Sequence, residues 1–301
     1  MNDRAIRPDW TIVNGDCIEV LGAEGKDNSI DLSVYSPPFV SLYTYTASPH
    51  DMGNSASSDE FFAHYAFLIA ELLRVTKPGR LTCVHVAQVP AMLERDGYIG
   101  MKDFRGDVIR AYLAQGWIYH GEVCIDKDPQ AQAIRTKAKG LLFVQMNKDS
   151  SWSRPALADY ILIFRKPGEN AVPITHDASN PLSGLTNNQW IEWARPIWYG
   201  IRESDTLQVA EARAEEDERH ICPLQLGTIE RCIRLWSNPG ELVLSPFAGI
   251  GSEGYEAVRL GRRFFGIELK PSYYEIAKKN LGTAEHRKAQ GSLLDDIEVS
   301  E

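Results

Sequence analysis

Two short turns carry the residues of this sequence whose types and spacing could do chemistry. The first turn, Ser36-Pro37-Pro38-Phe39, directly follows the apolar run from Ile30 to Tyr35. Prolines fix φ and carry no N–H donor, so the serine and proline oxygens are available to accept hydrogen bonds from an amino group. Phe39 supplies a ring that can stack on an aromatic amine. The turn therefore predicts a site that polarises such an amine, with a rigid structural turn as the alternative.

The second turn, Ser245-Pro246-Phe247-Ala248-Gly249-Ile250-Gly251, lies about 210 residues downstream and follows a second apolar run. Glycines at the start of a helix let a polar ligand approach the backbone N–H groups closely. Glu268 ends the next predicted strand, where a carboxylate can accept hydrogen bonds from a ribose diol. This turn predicts a nucleotide-like cofactor. Dinucleotide binding is the alternative, although the match to Gly-x-Gly-x-x-Gly is imperfect.

The elements that must position these turns alternate between strands and helices. Buried parallel strands read as continuous apolar runs, as in residues 30–35, and amphipathic helices follow them. This pattern predicts an α/β fold with both turns at strand ends. Predicted strands cover residues 10–13, 30–35, 81–86, 117–125, 160–165, 241–244 and 264–267. Predicted helices cover residues 17–21, 60–75, 104–115, 224–236, 252–260 and 272–281.

The alternation lapses over residues 126–218, which predicts an insertion specialised for substrate. We expect a catalytic half at 1–125, this insertion at 126–218, a cofactor half at 219–284 and an acidic, disordered tail at 285–301. The formal net charge is −9, but residues 127–202 carry ten Lys and Arg against six Asp and Glu. Because phosphate binding depends on the local field, the charge neither proves nor excludes DNA as a partner.

The remaining composition bears on the compartment. The five cysteines are scattered without C-x-x-C spacing, which argues against a metal site or a disulfide framework and for a reducing compartment. No apolar run approaches the roughly 18–20 residues of a membrane span. The N-terminus does not have the pattern of a signal peptide. We therefore expect a cytoplasmic protein.

Both turns, in this order, resemble those of the DNA amino-methyltransferases that methylate adenine N6 or cytosine N4. The order matches the β group, in which the catalytic motif precedes the cofactor motif, and the resemblance covers most of the chain. It implies a Rossmann-like, S-adenosylmethionine-dependent methyltransferase core with a circularly permuted motif order and an inserted target-recognition region. Further matching segments are residues 14–17, 28–32, 77–79, 220–225, 261–263 and 266–269.

The resemblance implies S-adenosylmethionine as methyl donor, without a metal. Glu268 would then hold the ribose and Asp16 the adenine amino group. Two positions depart from the family pattern: Ser245 replaces the usual Asp, and Leu226 replaces a lysine often found after the motif at 220–225. The implied cofactor-binding residues are Asp16, Ser245, Pro246, Phe247, Gly249, Gly251, Glu268 and Pro223.

The resemblance also implies a mechanism on a flipped base, because a duplex buries the exocyclic amine. The Ser36 side chain and the Pro37 carbonyl would orient the amine, Phe39 would stack on the base, and Pro38 completes the catalytic turn. No covalent intermediate is required. Serine at position 36 is frequent in cytosine-N4 enzymes, whereas the whole chain resembles prophage-borne orphan adenine methyltransferases, including residues 42–45 and 190–196. We expect adenine N6, with cytosine N4 as the alternative.

Double-stranded DNA is the expected partner, bound by a homodimer. The base pocket is expected to include Tyr43 and Tyr45. Two alternatives remain: an RNA or protein amide methyltransferase, which the motif order argues against, and a non-catalytic DNA-binding module with a decayed donor site. The predicted DNA-binding residues are Arg135, Lys137, Lys139 and Lys148 for phosphates, with Asn187, Asn188 and Arg195 for base edges.

Overall fold

The computed structural model of the chain describes residues 3–39, 51–55, 57–91, 93–136, 140–177, 179–180, 182–207 and 223–298. The strands are β1 (Asp3–Ile6), β2 (Trp10–Asn14), β3 (Ile30–Tyr35), β4 (Thr76–Ala87), β5 (Val89–Ala91), β6 (Gly100–Lys102), β7 (Ile118–Ile125), β8 (Asp159–Arg165), β9 (Ile197–Trp198), β10 (Leu242–Ser245) and β11 (Arg263–Glu268). The helices are α1 (Cys17–Glu24), α2 (Ser58–Val75), α3 (Leu93–Asp96), α4 (Phe104–Ala114), α5 (Pro129–Thr136), α6 (Asn187–Trp193), α7 (Leu226–Trp236), α8 (Ser252–Arg259) and α9 (Pro271–Glu298).

A nine-stranded sheet in the order β1-β2-β11-β10-β3-β4-β8-β7-β9 forms the centre of the molecule. Strands β2, β11, β10, β3 and β4 run parallel to one another, and β8 runs antiparallel to both β4 and β7. The predicted α/β fold is confirmed. Strand β1 was not predicted, because its residues are mostly exposed and carry no apolar pattern; it pairs antiparallel with β2 at the edge.

Strand β3 lies in the middle of the sheet, and all six of its residues are buried. Its one charged residue, Asp31, accepts hydrogen bonds from the Leu242 N–H at 2.9 Å and from Lys77 Nζ at 2.5 Å. A buried carboxylate needs such partners, and here they tie β3 to β10 and β4.

Strands β10 and β3 are neighbours, yet the chain leaves them towards opposite sides of the sheet. From β10 it continues to β11, and from β3 it continues to β4 on the other side. In parallel α/β sheets a crevice opens at such a switch point, beyond the carboxyl ends of the strands. Both turns singled out in the sequence lie there.

Helices α2 and α9 are both longer than predicted. Helix α2 begins at Ser58, two residues before the predicted start, because Ser57 caps it: the Ser57 Oγ accepts a hydrogen bond from the Glu60 N–H at 3.1 Å. Asp59 lies in the first turn, where its negative charge suits the helix dipole. Helix α9 continues to Glu298, whereas a disordered tail was expected from residue 285. The residues beyond 285 include good helix formers such as Ala, Leu, Lys and Gln, which extend the helix.

The region from 126 to 218 is not a unit separate from the core. Strand β8 lies between β4 and β7 in the central sheet, and its apolar residues from Ile161 to Phe164 are buried. Strand β9 pairs with the end of β7. The predicted insertion therefore supplies two strands of the sheet: β8, which was predicted at residues 160–165, and the two-residue β9, which was not. Among the residues described, no helix is long and apolar enough to cross a membrane.

Candidate active site

A cavity of about 170 Å³ lies at the switch point and is lined by both turns. Ten of the predicted site residues meet at its wall, although they come from both ends of the sequence. They are Ser36, Pro37, Pro38, Phe39, Asp16, Pro223, Pro246, Phe247, Gly249 and Glu268. The structure thus brings the predicted amine site and the predicted cofactor site into one space.

The catalytic turn packs against aromatic side chains. Pro37 and Pro38 are buried, and the half-buried ring of Phe39 lies 5.7 Å from the Phe104 ring, centre to centre. Tyr35, which precedes the turn, is fully buried and its hydroxyl lies 2.7 Å from that of Tyr65. This packing fixes the direction in which the turn leaves the sheet.

A buried polar chain stands behind Ser36, and sequence reasoning missed it. The Ser36 Oγ lies 3.1 Å from His85 Nδ1 and 3.3 Å from the His85 carbonyl oxygen. His85 Nε2 lies 3.2 Å from Asp159 Oδ2, and Lys127 Nζ lies 2.6 Å from the same oxygen. Burial alone would raise the pKa of Asp159, but His85 and Lys127 outweigh it and lower that pKa to about 2. In the sequence, the one signal for His85, Asp159 and Lys127 as site residues was their position near the ends of predicted strands.

Glu268 is a buried acid in the cavity wall on the side of the cofactor turn. Its Oε2 accepts a hydrogen bond from the Gly249 N–H at 2.7 Å, and its Oε1 accepts one from the Lys270 N–H at 2.8 Å. Gly249 has a φ of +53°, a conformation that favours glycine. Burial raises the pKa of Glu268 to about 7. The carboxylate is thus held rigidly at the end of β11, as a ribose-binding acid requires.

Asp16 and Phe247 also line the cavity. Asp16 caps α1, because its Oδ1 accepts hydrogen bonds from the N–H groups of Ile18 and Glu19, both at 2.9 Å. The Phe247 ring lies 5.8 Å from the Tyr35 ring. The cavity wall therefore includes an acid and an aromatic ring besides Glu268.

Comparison with known proteins identifies the family. The sequence matches the N6/N4 methyltransferase family model, described as DNA methylase, over residues 30–279. The chain belongs to this family of DNA methylases. It is 31% identical to the type II methyltransferase M.BglI of Bacillus subtilis over 94% of this chain and 88% of that protein.

Solved structures share the fold of this DNA methylase. One is the putative DNA modification methylase TTHA0409 from Thermus thermophilus in complex with S-adenosyl-L-methionine, with a TM-score of 0.63, 24% identity, and coverage of 90% of this chain and 94% of that chain. Another is the cytosine-N4-specific PvuII DNA methyltransferase, with a TM-score of 0.64, 18% identity, and coverage of 94% and 92%. The methyltransferase fold and the DNA amino-methyltransferase activity that were predicted are confirmed. The comparisons do not support the RNA or protein amide alternative or the non-catalytic alternative.

Two predicted cofactor residues of the methylase lie behind the cavity wall instead of on it. Ser245 is fully buried at the end of β10, and its Oγ makes no hydrogen bond within the described part of the chain. Gly251 caps α8 with a φ of +88°, and a Cβ added there would lie 3.1 Å from the Ala277 Cβ. Gly251 therefore lets α8 pack closely on α9, and a direct contact with a ligand is not what the geometry shows.

Glu253 is a cavity residue of the methylase that the sequence did not single out. It lies in the first turn of α8, is 5% exposed, and burial raises its pKa to about 8. An acid in this position resembles an ordinary partner of the helix dipole, so nothing in the sequence distinguished it. Its burial in the cavity gives the methylase a second acid beside Glu268.

The predicted DNA-binding residues belong to two segments of the chain, one between β7 and β8 and one that includes α6. Residues 126–158 leave β7 and return to β8 at the edge that carries the active site, because Ile125 pairs with Asp159. Residues 166–184 instead pass the opposite edge, where Lys166 Nζ donates to the Thr76 carbonyl at 2.7 Å. From there the chain passes through α6 into β9, which pairs with the end of β7 at the active-site edge.

Four of these predicted residues, Lys148, Asn187, Asn188 and Arg195, are exposed. Gln189 is engaged in the capping box of α6 with Thr186. Tyr43, Tyr45, Lys137 and Lys139, and the side chain of Arg135, lie outside the described residues. Their roles stay predictions.

Proposed function

We propose that the cavity binds S-adenosylmethionine and that the protein transfers its methyl group to the exocyclic amine of a base flipped out of duplex DNA. Glu268 accepts hydrogen bonds from the ribose hydroxyls, and Asp16 and Phe247 hold the adenine. The chemistry of the cavity fits this donor, because two buried acids suit a ligand with a diol and positive charge. The fold shared with a methylase solved in complex with S-adenosylmethionine supports the assignment.

The catalytic turn positions the amine. The Ser36 Oγ and the Pro37 carbonyl accept its hydrogen bonds, and Phe39 stacks on the base. Rigid prolines in a buried turn hold these acceptors in place before the base arrives, so little reorganisation remains for the reaction. The amine then attacks the methyl carbon in line.

One observation carries this proposal: the catalytic turn and the cofactor turn, which are far apart in the sequence, line the same cavity. Calorimetry with S-adenosylmethionine tests it. We expect binding by the wild-type protein, loss of most binding with Phe247→Ala, and unchanged binding with Phe143→Ala, which alters an exposed aromatic residue. An absence of binding by the wild type contradicts the proposal.

DNA binds to the edge of the sheet that carries the cavity. The segment of residues 126–158 starts and ends at this edge, and its Lys148 is exposed. Phosphate contacts from such residues would fix the duplex in register, while recognition of the sequence requires contacts to base edges. The catalytic and cofactor halves at 1–125 and 219–284 supply the chemistry.

Adenine N6 is the proposed target. The resemblance of residues 42–45 and 190–196 to orphan adenine methyltransferases supports this choice, whereas Ser36 favours cytosine N4 as the second candidate. Mass analysis of nucleosides from treated DNA decides between them. We expect N6-methyladenine, and N4-methylcytosine alone would establish the second candidate.

The cytoplasmic location and the homodimer stay predictions. Exposed apolar side chains on and after α6 are consistent with a contact between subunits; they are Trp190, Ile191, Ile197 and Tyr199. Sedimentation equilibrium of the purified protein measures the oligomeric state, and a monomer at all concentrations would contradict the prediction.

A further inference from the structure

We propose that His85, Asp159 and Lys127 form a relay behind Ser36 that fixes the direction of its hydroxyl proton, so that a lone pair of Ser36 always faces the substrate amine. The inference rests on the proposed function, because it assumes that Ser36 accepts a hydrogen bond from that amine. It adds three positioning residues that contact no part of the base or the methyl donor directly.

The relay is assembled from neighbouring strands at the active-site edge. Ser36 follows β3, His85 lies near the end of β4, Asp159 begins β8, and Lys127 comes shortly after β7. The side chains of His85 and Asp159 are each 11% exposed, and that of Lys127 is 1% exposed. Burying three ionisable groups next to one another is unfavourable unless each is paired, so the cluster needs a reason to persist.

The pairing determines which nitrogen of His85 carries a proton. Asp159 is ionised, because Lys127 Nζ lies 2.6 Å from its Oδ2, and an ionised carboxylate only accepts hydrogen bonds. His85 Nε2 lies 3.2 Å from the same oxygen, within ion-pair distance but without the alignment of a hydrogen bond. Because a proton on this nitrogen faces the negative charge of Asp159, Nε2 is the nitrogen that carries the proton. In a neutral imidazole the other nitrogen is then an acceptor. His85 Nδ1 thus accepts the hydroxyl proton of Ser36 at 3.1 Å.

This polarity matters for the reaction. The second partner of the Ser36 Oγ, the His85 carbonyl at 3.3 Å, is also an acceptor, so both draw the hydroxyl proton away from the cavity. The lone pairs of Ser36 then point towards the amine and can accept its hydrogen. A hydroxyl proton pointing into the cavity would instead bind the nitrogen lone pair that has to attack the methyl carbon.

The same chain can receive the proton that the amine loses. As the N–C bond forms, the C–S bond breaks and its electron pair returns to sulfur, which leaves the methylated nitrogen with one positive charge. That nitrogen gives a proton to the Ser36 Oγ, while Ser36 passes its own proton to His85 Nδ1. The imidazolium is stabilised by Asp159, as in the serine-protease triad.

A purely structural role for the cluster would also explain its burial. A double-mutant cycle distinguishes this structural role from the proposed positioning of Ser36. Single-turnover methyl transfer to unmethylated genomic DNA is measured at saturating S-adenosylmethionine for Ser36→Ala, His85→Ala, Asp159→Asn and the Ser36→Ala/His85→Ala pair. His120→Ala, an exposed histidine on β7, is the control. Calorimetry with S-adenosylmethionine reports on folding of each variant.

We expect His85→Ala and Asp159→Asn to lower the rate at least about tenfold while the affinity for S-adenosylmethionine changes less than about twofold. His85→Ala should cause no further loss in the Ser36→Ala protein, because His85 acts through Ser36. Asp159→Asn keeps the shape but lets the amide donate to Nε2, which reverses the tautomer. Full activity of His85→Ala, or losses that multiply in the double variant, would overturn the relay. Failure of the wild type to methylate any DNA would instead contradict the proposed function.

Discussion

Two buried acids, Glu268 and Glu253, determine how the cavity responds to a ligand. Each carboxylate oxygen of Glu268 accepts one backbone hydrogen bond, from the N–H of Gly249 or of Lys270. The second lone pair of each oxygen can accept a hydrogen bond from a ligand. Glu253 lies in the first turn of α8 and lines the same cavity. Burial raises the pKa of Glu268 to about 7 and that of Glu253 to about 8, so both acids exchange protons near neutral pH.

Replacement of Glu268 by Gln should weaken binding of S-adenosylmethionine about 10- to 100-fold, the range expected for loss of a hydrogen bond to a charged group. The amide would also place N–H hydrogens against the donor of Gly249 or Lys270. Calorimetry measures the affinity, and Glu275→Gln, an exposed position on α9, is the control. Equal affinities of the wild type and Glu268→Gln would show that this acid does not hold the ribose.

Affinity for S-adenosylmethionine should rise with pH. The pKa values of about 7 for Glu268 and about 8 for Glu253 mean that both acids bind protons more strongly than ordinary carboxyl groups do. A cationic ligand favours the ionised acids, so binding releases protons and strengthens from about pH 6 until the pH passes the pKa of Glu253 at about 8. Glu253→Gln should flatten this rise. Calorimetry in buffers of different ionisation enthalpy counts the protons, and proton uptake on binding would contradict the prediction.

At the scale of elements, two glycines of the cofactor turn have different tasks. Gly249 and Gly251 both have positive φ, at +53° and +88°. A Cβ at Gly249 would meet no atom within 4 Å, whereas one at Gly251 would press on Ala277 of α9. Gly249 therefore serves the cavity, and Gly251 serves the packing of α8 against α9.

Gly251→Ala should lower the free energy of unfolding by about 1–3 kcal/mol, through backbone strain together with the contact to α9. Gly249→Ala carries only the backbone strain, about 1–2 kcal/mol, but should weaken S-adenosylmethionine binding because it disturbs the partner of Glu268. Urea denaturation and calorimetry measure the two properties. A Gly249→Ala protein with full affinity would contradict this division.

The segment between β7 and β8 should carry DNA contacts. Lys148→Ala is expected to weaken DNA binding for all sequences alike and to reduce the slope of log K against log salt by about 1. Lys26→Ala, exposed at the opposite edge of the sheet before β3, should change neither quantity. Fluorescence anisotropy at several salt concentrations measures both, and an equal loss in the two variants would mean that the charge acts non-specifically.

At the scale of the whole molecule, the sequence predicted what is local. Continuous apolar runs identified strands such as β3 and β10, and the turns after them followed from proline and glycine chemistry. The same information could not place β8 between β4 and β7, because strand order depends on packing between distant segments. It missed the relay behind Ser36 for the same reason: His85 and Asp159 are 74 positions apart and meet only across neighbouring antiparallel strands.

Individual residues of the site also show the difference between what the sequence predicts and what the fold determines. Phe247 and Gly249 of the cofactor turn line the cavity. Ser245 and Gly251 belong to the same turn but face the interior, because successive residues of a strand or turn point in different directions. Membership of a motif therefore identified the neighbourhood of the ligand, while the fold determined which side chains reach it.

Transfer of a labelled methyl group tests the central claim most directly. Unmethylated genomic DNA is incubated with the protein and S-adenosylmethionine that carries a trideuterated methyl group, and the nucleosides are analysed by mass spectrometry. The account predicts deuterated methyl on an exocyclic amine, as N6-methyladenine or N4-methylcytosine, with most of the signal lost in Ser36→Ala. Methyl on C5 of cytosine, or no label in DNA despite cofactor binding, would contradict it.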